Sequence, residues 1–274
     1  MIATDFRFRT DPVPGRALLP FFSIAFGLSW GIFAVGLLFT DAVVRIFGEL
    51  GARNPLFFLA VYAPAIAAFV LVLAHTGPHG LGRFLSRLGL WRCSWGWWAF
   101  LLLGIPAIYA AGALVKGLPP ADLVPRTAPG ALLSAIGFML ILGPMEEFGW
   151  RGFALPFLQR RMAPVWAGFV LGLIWGIWHL PAFMMSGTPQ SNWSFPAFLI
   201  GATAISVILT PLFNRSGGSI LLPMLYHFQL NNPAWPDAQP WDTWFFVAVA
   251  LVVVWLHRDT MFSRDVAITE VVPT

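Results

Sequence analysis

Long apolar stretches, broken by short polar ones, run the length of this chain. Stretches of the length a bilayer-crossing helix needs, about 20 mostly apolar residues, fall at 18–39, 55–75, 95–115, 131–158, 164–185 and 195–213. Two weaker stretches follow at 218–231 and 241–256. The pattern predicts an all-α, polytopic transmembrane helix bundle of about eight spans, forming a single integral membrane domain over 1–274. Between the second and third spans, Arg83 and Arg87 stand four apart beside Phe84, Leu85 and Leu88, so 79–93 is expected to be one short interfacial amphipathic helix. The first apolar run is too long for a signal-peptide core and is expected to be a retained span. The C-terminus carries no CaaX box.

Composition agrees. Hydrophobic residues make 58% of the chain and charged residues 10%, against roughly 25% charged in soluble domains. A soluble enzyme, a disordered chain and a nucleic-acid binder are excluded on that ground. The +4 charge comes from scattered residues, all Arg except Lys116, and not from a basic run. With the N-terminus inside, 12 of the 16 basic residues fall on cytoplasmic segments and 4 outside, or 11 and 4 when Arg151 is counted within the fourth helix. That split follows the positive-inside rule and predicts cytoplasmic tails at 1–17 and 258–274. The excess of Arg over Lys fits a bacterial cell membrane. The single Cys93 excludes an internal disulfide and a CxxC metal site.

Candidate chemistry lies in the polar residues inside the spans. Glu146 and Glu147 are adjacent in the fourth, although a charge at membrane depth costs roughly 3 kcal/mol. Arg151 shares a helix face with Glu147, four residues on, and is expected to neutralise it as a structural pair. Glu146 points about 100° away and lacks that partner, which leaves it available as a general base. His179 lies in the fifth span. His227 and Asn231 share a face in the seventh. Counted from the inner helix ends, Glu146, His179 and Asn231 stand about 18–22 Å up at 1.5 Å per residue. Three spans thus place polar groups at one height. A carboxylate beside an imidazole can hold and deprotonate water, and a second His with an Asn amide can donate to an oxyanion. That set suits peptide hydrolysis, and no GxSxG nucleophile motif is present.

At these residues the chain resembles the CPBP intramembrane protease family, which includes the type II CAAX prenyl endopeptidases and the bacterial Abi proteins. Glu146-Glu147-x-x-x-Arg151, an aromatic-x-x-x-His179 and His227-x-x-x-Asn231 stand in the family's motif order on separate spans. The likeness covers about 131–232, the expected catalytic core. Where the second motif usually begins with Phe this chain has Trp175, a place assigned to side-chain contact alone. The resemblance implies an eight-helix membrane protein in which Glu146 and His179 activate water and His227 and Asn231 hold the oxyanion. It implies a glutamate-type, metal-free hydrolase acting on a peptide or lipidated protein substrate. A zinc site of Glu146, His179 and His227 is the alternative, although no HExxH pair occurs. Membrane lipid is the other expected partner, and nucleic acid is not.

Two other classes are compatible with buried Glu and His. A transporter with a Glu/His relay should show pseudo-symmetric halves with matching broken helices, and none are found. A non-catalytic membrane binding or immunity protein should lack one of the four polar residues, and all four are present.

Overall fold

The computed structural model describes residues 13–49, 51, 54–185 and 188–273. Among these, all regular structure is helical. Six helices are long and apolar enough to cross a membrane: α1 (Gly15–Leu38), α2 (Ala63–Gly89), α3 (Trp95–Val115), α4 (Pro129–Gln159), α5 (Pro164–Met184) and α6 (Phe195–Arg215). The two weaker stretches are shorter helices, α7 (Leu221–Leu230) and α8 (Trp241–Leu256). At 1.5 Å per residue, α7 rises only about 15 Å, half of a hydrocarbon core of about 30 Å. The protein is a multi-pass integral membrane protein.

α6 is the most enclosed of the six. Its Ile208, Leu209, Leu212 and Phe213 are all fully buried. α6 lies between α5 and α8. α1, α2 and α4 form the other side of the core, where Phe21, Trp150 and Phe153 meet ring against ring. The outer faces remain apolar and exposed, as at Leu102, Leu103 and Leu251, which suits a lipid solvent.

Two helices carry wide π-turns, at Phe100–Gly104 in α3 and Trp150–Ala154 in α4. Each ends two residues before a proline, Pro106 and Pro156. A proline inside a helix cannot bond the carbonyl four residues back and clashes with it; a widened turn relieves both.

The predicted interfacial helix is the continuation of α2 beyond a kink. Gly77 adopts φ +66°, open to glycine without strain, and Pro78 follows. Arg87 is not on a solvated face: it is 2% exposed, and its Nη2 donates to the Glu270 carbonyl at 2.5 Å. Nor does the predicted C-terminal tail hang free. Val271 and Val272 are fully buried, the Ile268 carbonyl accepts from Gln159 Nε2 at 2.8 Å, and that of Thr269 from Arg160 Nε at 2.9 Å. The segment folds back because these carbonyls satisfy buried donors at the ends of α2 and α4. The predicted N-terminal tail lies outside the described residues up to position 12, as do Arg7, Arg9 and Arg53.

These bonds gather one end of the bundle. Arg160 also reaches the Val13 carbonyl (3.3 Å), and Gln159 bonds Asn214 at the end of α6 (3.0 Å). The opposite end is tied by Lys116 to Asp237 at 2.7 Å and by Arg126 to Asp122. The segments read as cytoplasmic in the sequence therefore meet at one end.

Candidate active site

α4 breaks where the site begins. Leu142 leaves helical geometry (φ −83°, ψ −85°), and Gly143-Pro144-Met145 makes one tight turn before the helix resumes at Glu146. Pro144 lacks an N–H, and inside a continuous helix its ring would clash with the carbonyl four residues back, so the α-helical ladder cannot run through it. The break presents both glutamates at the start of a new helical segment. Gly143 also gives room: a Cβ there would strike Asn231 Nδ2 and come within 3.0 Å of His227 Nε2. His227 Nε2 and the Asn231 amide, at the end of α7, thus face the backbone of the broken turn.

Glu147 is fully buried. Its Oε1 accepts from Arg151 Nη1 at 2.9 Å, the i,i+4 pair expected from the sequence, and also from His227 Nδ1 at 2.7 Å. The Arg151 guanidinium lies 4.7 Å over the Trp175 ring. Glu147 is therefore more than the partner of Arg151. It joins α4 to α7 and sets the orientation of His227.

Glu146 accepts from two neutral donors. Its Oε2 accepts from the indole of Trp175 at 2.8 Å and from that of Trp150 at 3.3 Å. Neither donor is ionic, so the negative charge is held and not cancelled. The other carboxylate oxygen accepts no hydrogen bond from the described residues, and Glu146 lines the large cavity described below.

Both histidines commit the same nitrogen. His179 Nδ1 stands 2.8 Å from the Trp175 carbonyl, which can only accept, so Nδ1 carries the proton. His227 Nδ1 faces the Glu147 carboxylate and is protonated for the same reason. In the neutral rings, each Nε2 is then a bare acceptor. Donation from His227 Nε2 to an oxyanion requires the doubly protonated ring.

Glu146, His179, His227 and Asn231 all line one cavity of about 430 Å³. They come from α4, α5 and α7, and the rest of the lining is largely apolar and aromatic, including Phe33, Trp178 and Phe198. All four predicted residues are thus brought to one space, with Glu147 and Arg151 behind it. Among the described residues, no group of three or more His, Cys, Asp and Glu side chains is arranged to hold a metal ion. The sequence reading missed the two indole donors. Their only sequence signals were spacings, Trp150 four residues after Glu146 and Trp175 four before His179.

Residues 128–232, the stretch that builds this site, match the family model described as Type II CAAX prenyl endopeptidase Rce1-like. The CAAX prenyl protease 2 of Methanococcus maripaludis is 29% identical over 99 residues, covering 34% of this chain and 36% of the relative. The chain thus matches about a third of that relative's length. Both are likenesses over less than half of the chain.

Proposed function

We propose that this protein is an intramembrane endopeptidase that hydrolyses a peptide bond in a membrane-embedded or lipidated substrate without a metal ion. The observation that carries this reading is the convergence of Glu146, His179, His227 and Asn231 on one largely apolar cavity. The matches to a prenyl endopeptidase family model and to a CAAX prenyl protease support it.

In this scheme the free oxygen of Glu146 and the Nε2 of His179 accept the two O–H bonds of a water. Glu146 takes one proton as the water oxygen bonds to the scissile carbonyl carbon. The carbonyl oxygen becomes an oxyanion, stabilised by Asn231 Nδ2 and by His227 Nε2 in its protonated form. Glu146 then passes its proton to the amide nitrogen, the C–N bond breaks, and the carboxylic acid product gives its proton to the medium. The Glu147 carboxylate holds the His227 ring in place throughout.

Purified protein in proteoliposomes is expected to cleave a membrane-inserted peptide after prolonged incubation with strong chelators. Cleavage lost under chelation and restored by Zn²⁺ alone contradicts the metal-free scheme.

We also infer that both termini are cytoplasmic, because the end of the bundle that joins Val13, Arg160 and Thr269 is the one rich in arginine. In a Cys93→Ser background, Asp265→Cys is expected to react with an impermeant maleimide only after cells are opened. Val124→Cys, exposed in the loop before α4, is expected to react in intact cells. The reverse pattern overturns the orientation.

A further inference from the structure

Trp175 touches Glu146, His179, His227 and Arg151. Its indole donates to Glu146 Oε2 at 2.8 Å. Its ring stands edge-on to His179 and His227 at 5.4 and 5.5 Å, and its face carries the Arg151 guanidinium. It is 4% exposed. The His179 bond to its carbonyl says little alone, since His75 makes the same local bond to the Leu71 carbonyl at 2.8 Å. The indole bond is different: it crosses from α5 to α4, joining residues 29 apart in the chain. A phenylalanine, usual at this place in the family the chain resembles, has no N–H to give.

We propose that Trp175 is a positioning residue that divides the work of the two Glu146 oxygens. With Trp150 it holds Oε2, fixes the plane of the carboxylate, and leaves the other oxygen aimed at water as the base. A carboxylate free to rotate would present either oxygen, and the base would meet the water in fewer of its orientations. The shorter Trp175 bond makes it the main constraint and Trp150 the lesser one. This role rests on the reading of Glu146 as the general base.

The test compares Trp175→Phe and Trp150→Phe with wild type in proteoliposomes. A third variant places benzothienylalanine at 175, keeping the bicyclic ring and replacing only the N–H with sulfur. Two readouts are taken: kcat and KM on a membrane-inserted peptide, and infrared spectra of protein carrying ¹³C-labelled glutamate. The chain has four glutamates, so subtracting the Glu146→Gln spectrum isolates the Glu146 carboxylate band.

Both 175 variants are expected to lower kcat by about 10–100-fold, the usual effect of losing one hydrogen bond to a charged group, with KM changed by less than about threefold. The Glu146 band should move in both, and less in Trp150→Phe. If Trp175→Phe does not fold, the benzothienylalanine protein decides. An unmoved band, or a moved band with unchanged kcat, overturns the proposal. Near-normal cleavage by Glu146→Gln overturns the proposed hydrolysis instead, while the infrared band still reports whether the indole holds the carboxylate.

Discussion

Glu146→Gln is expected to lower peptide cleavage by about 10²–10⁴, the range contributed by a general acid–base group, while the protein remains folded. The amide keeps the shape of the side chain, and its oxygen can still accept from Trp150 and Trp175. A neutral amide also costs less to bury than a carboxylate, so the unfolding midpoint should hold or rise. What is lost is the basic oxygen facing the cavity. Asn231→Ala tests the opposite side of the reaction. Removing one oxyanion donor is expected to cost about 10²–10³ in kcat, and His227→Ala should do similar damage. Rates measured at equal folded fraction, with the thermal midpoint of each variant, separate these effects from misfolding. A near-normal rate for all three variants would remove the proposed site.

Arg151→Ala is expected to damage the fold. Arg151 and Glu147 are both fully buried, and removing one partner of such a pair costs on the order of 3–5 kcal/mol, because the other charge is left uncompensated. The structure enlarges the expected damage. Arg151 also lies on Trp175, and its partner Glu147 holds His227, so one truncation loosens contacts among α4, α5 and α7. Low membrane yield and a depressed unfolding midpoint in detergent are the expected readouts. Full stability together with full activity would show that the pair is not needed.

The spans were legible because lipid as solvent leaves only one solution for long apolar segments. The same economy exposed the site: in a chain with so few acids, two adjacent glutamates in an apolar run stand out, and helical spacing alone pairs Glu147 with Arg151. The other bond of Glu147, to His227, joins residues 80 apart, and local spacing carries no trace of it. Arg87 shows the same limit more sharply. Its spacing predicted a solvated face, but a carbonyl 183 residues away takes the place of water. The indole donors were hidden by abundance. With 14 Trp in the chain, nothing local marks Trp150 and Trp175 as polar partners and not as apolar surface. The π-turns escaped because widening a helix by one residue leaves its hydropathy unchanged; only the prolines at 106 and 156 hinted at them.

The most direct measurement is cleavage of one membrane-inserted peptide by Glu146→Gln and Glu147→Gln, side by side in proteoliposomes with the folded fraction of each determined. The expected result is a stable, nearly inactive Glu146→Gln, and a Glu147→Gln protein whose loss of activity is accompanied by a lowered unfolding midpoint, since Arg151 and His227 both lose their carboxylate. Near-normal cleavage by Glu146→Gln beside a stably folded but dead Glu147→Gln would contradict these roles and exchange the two acids.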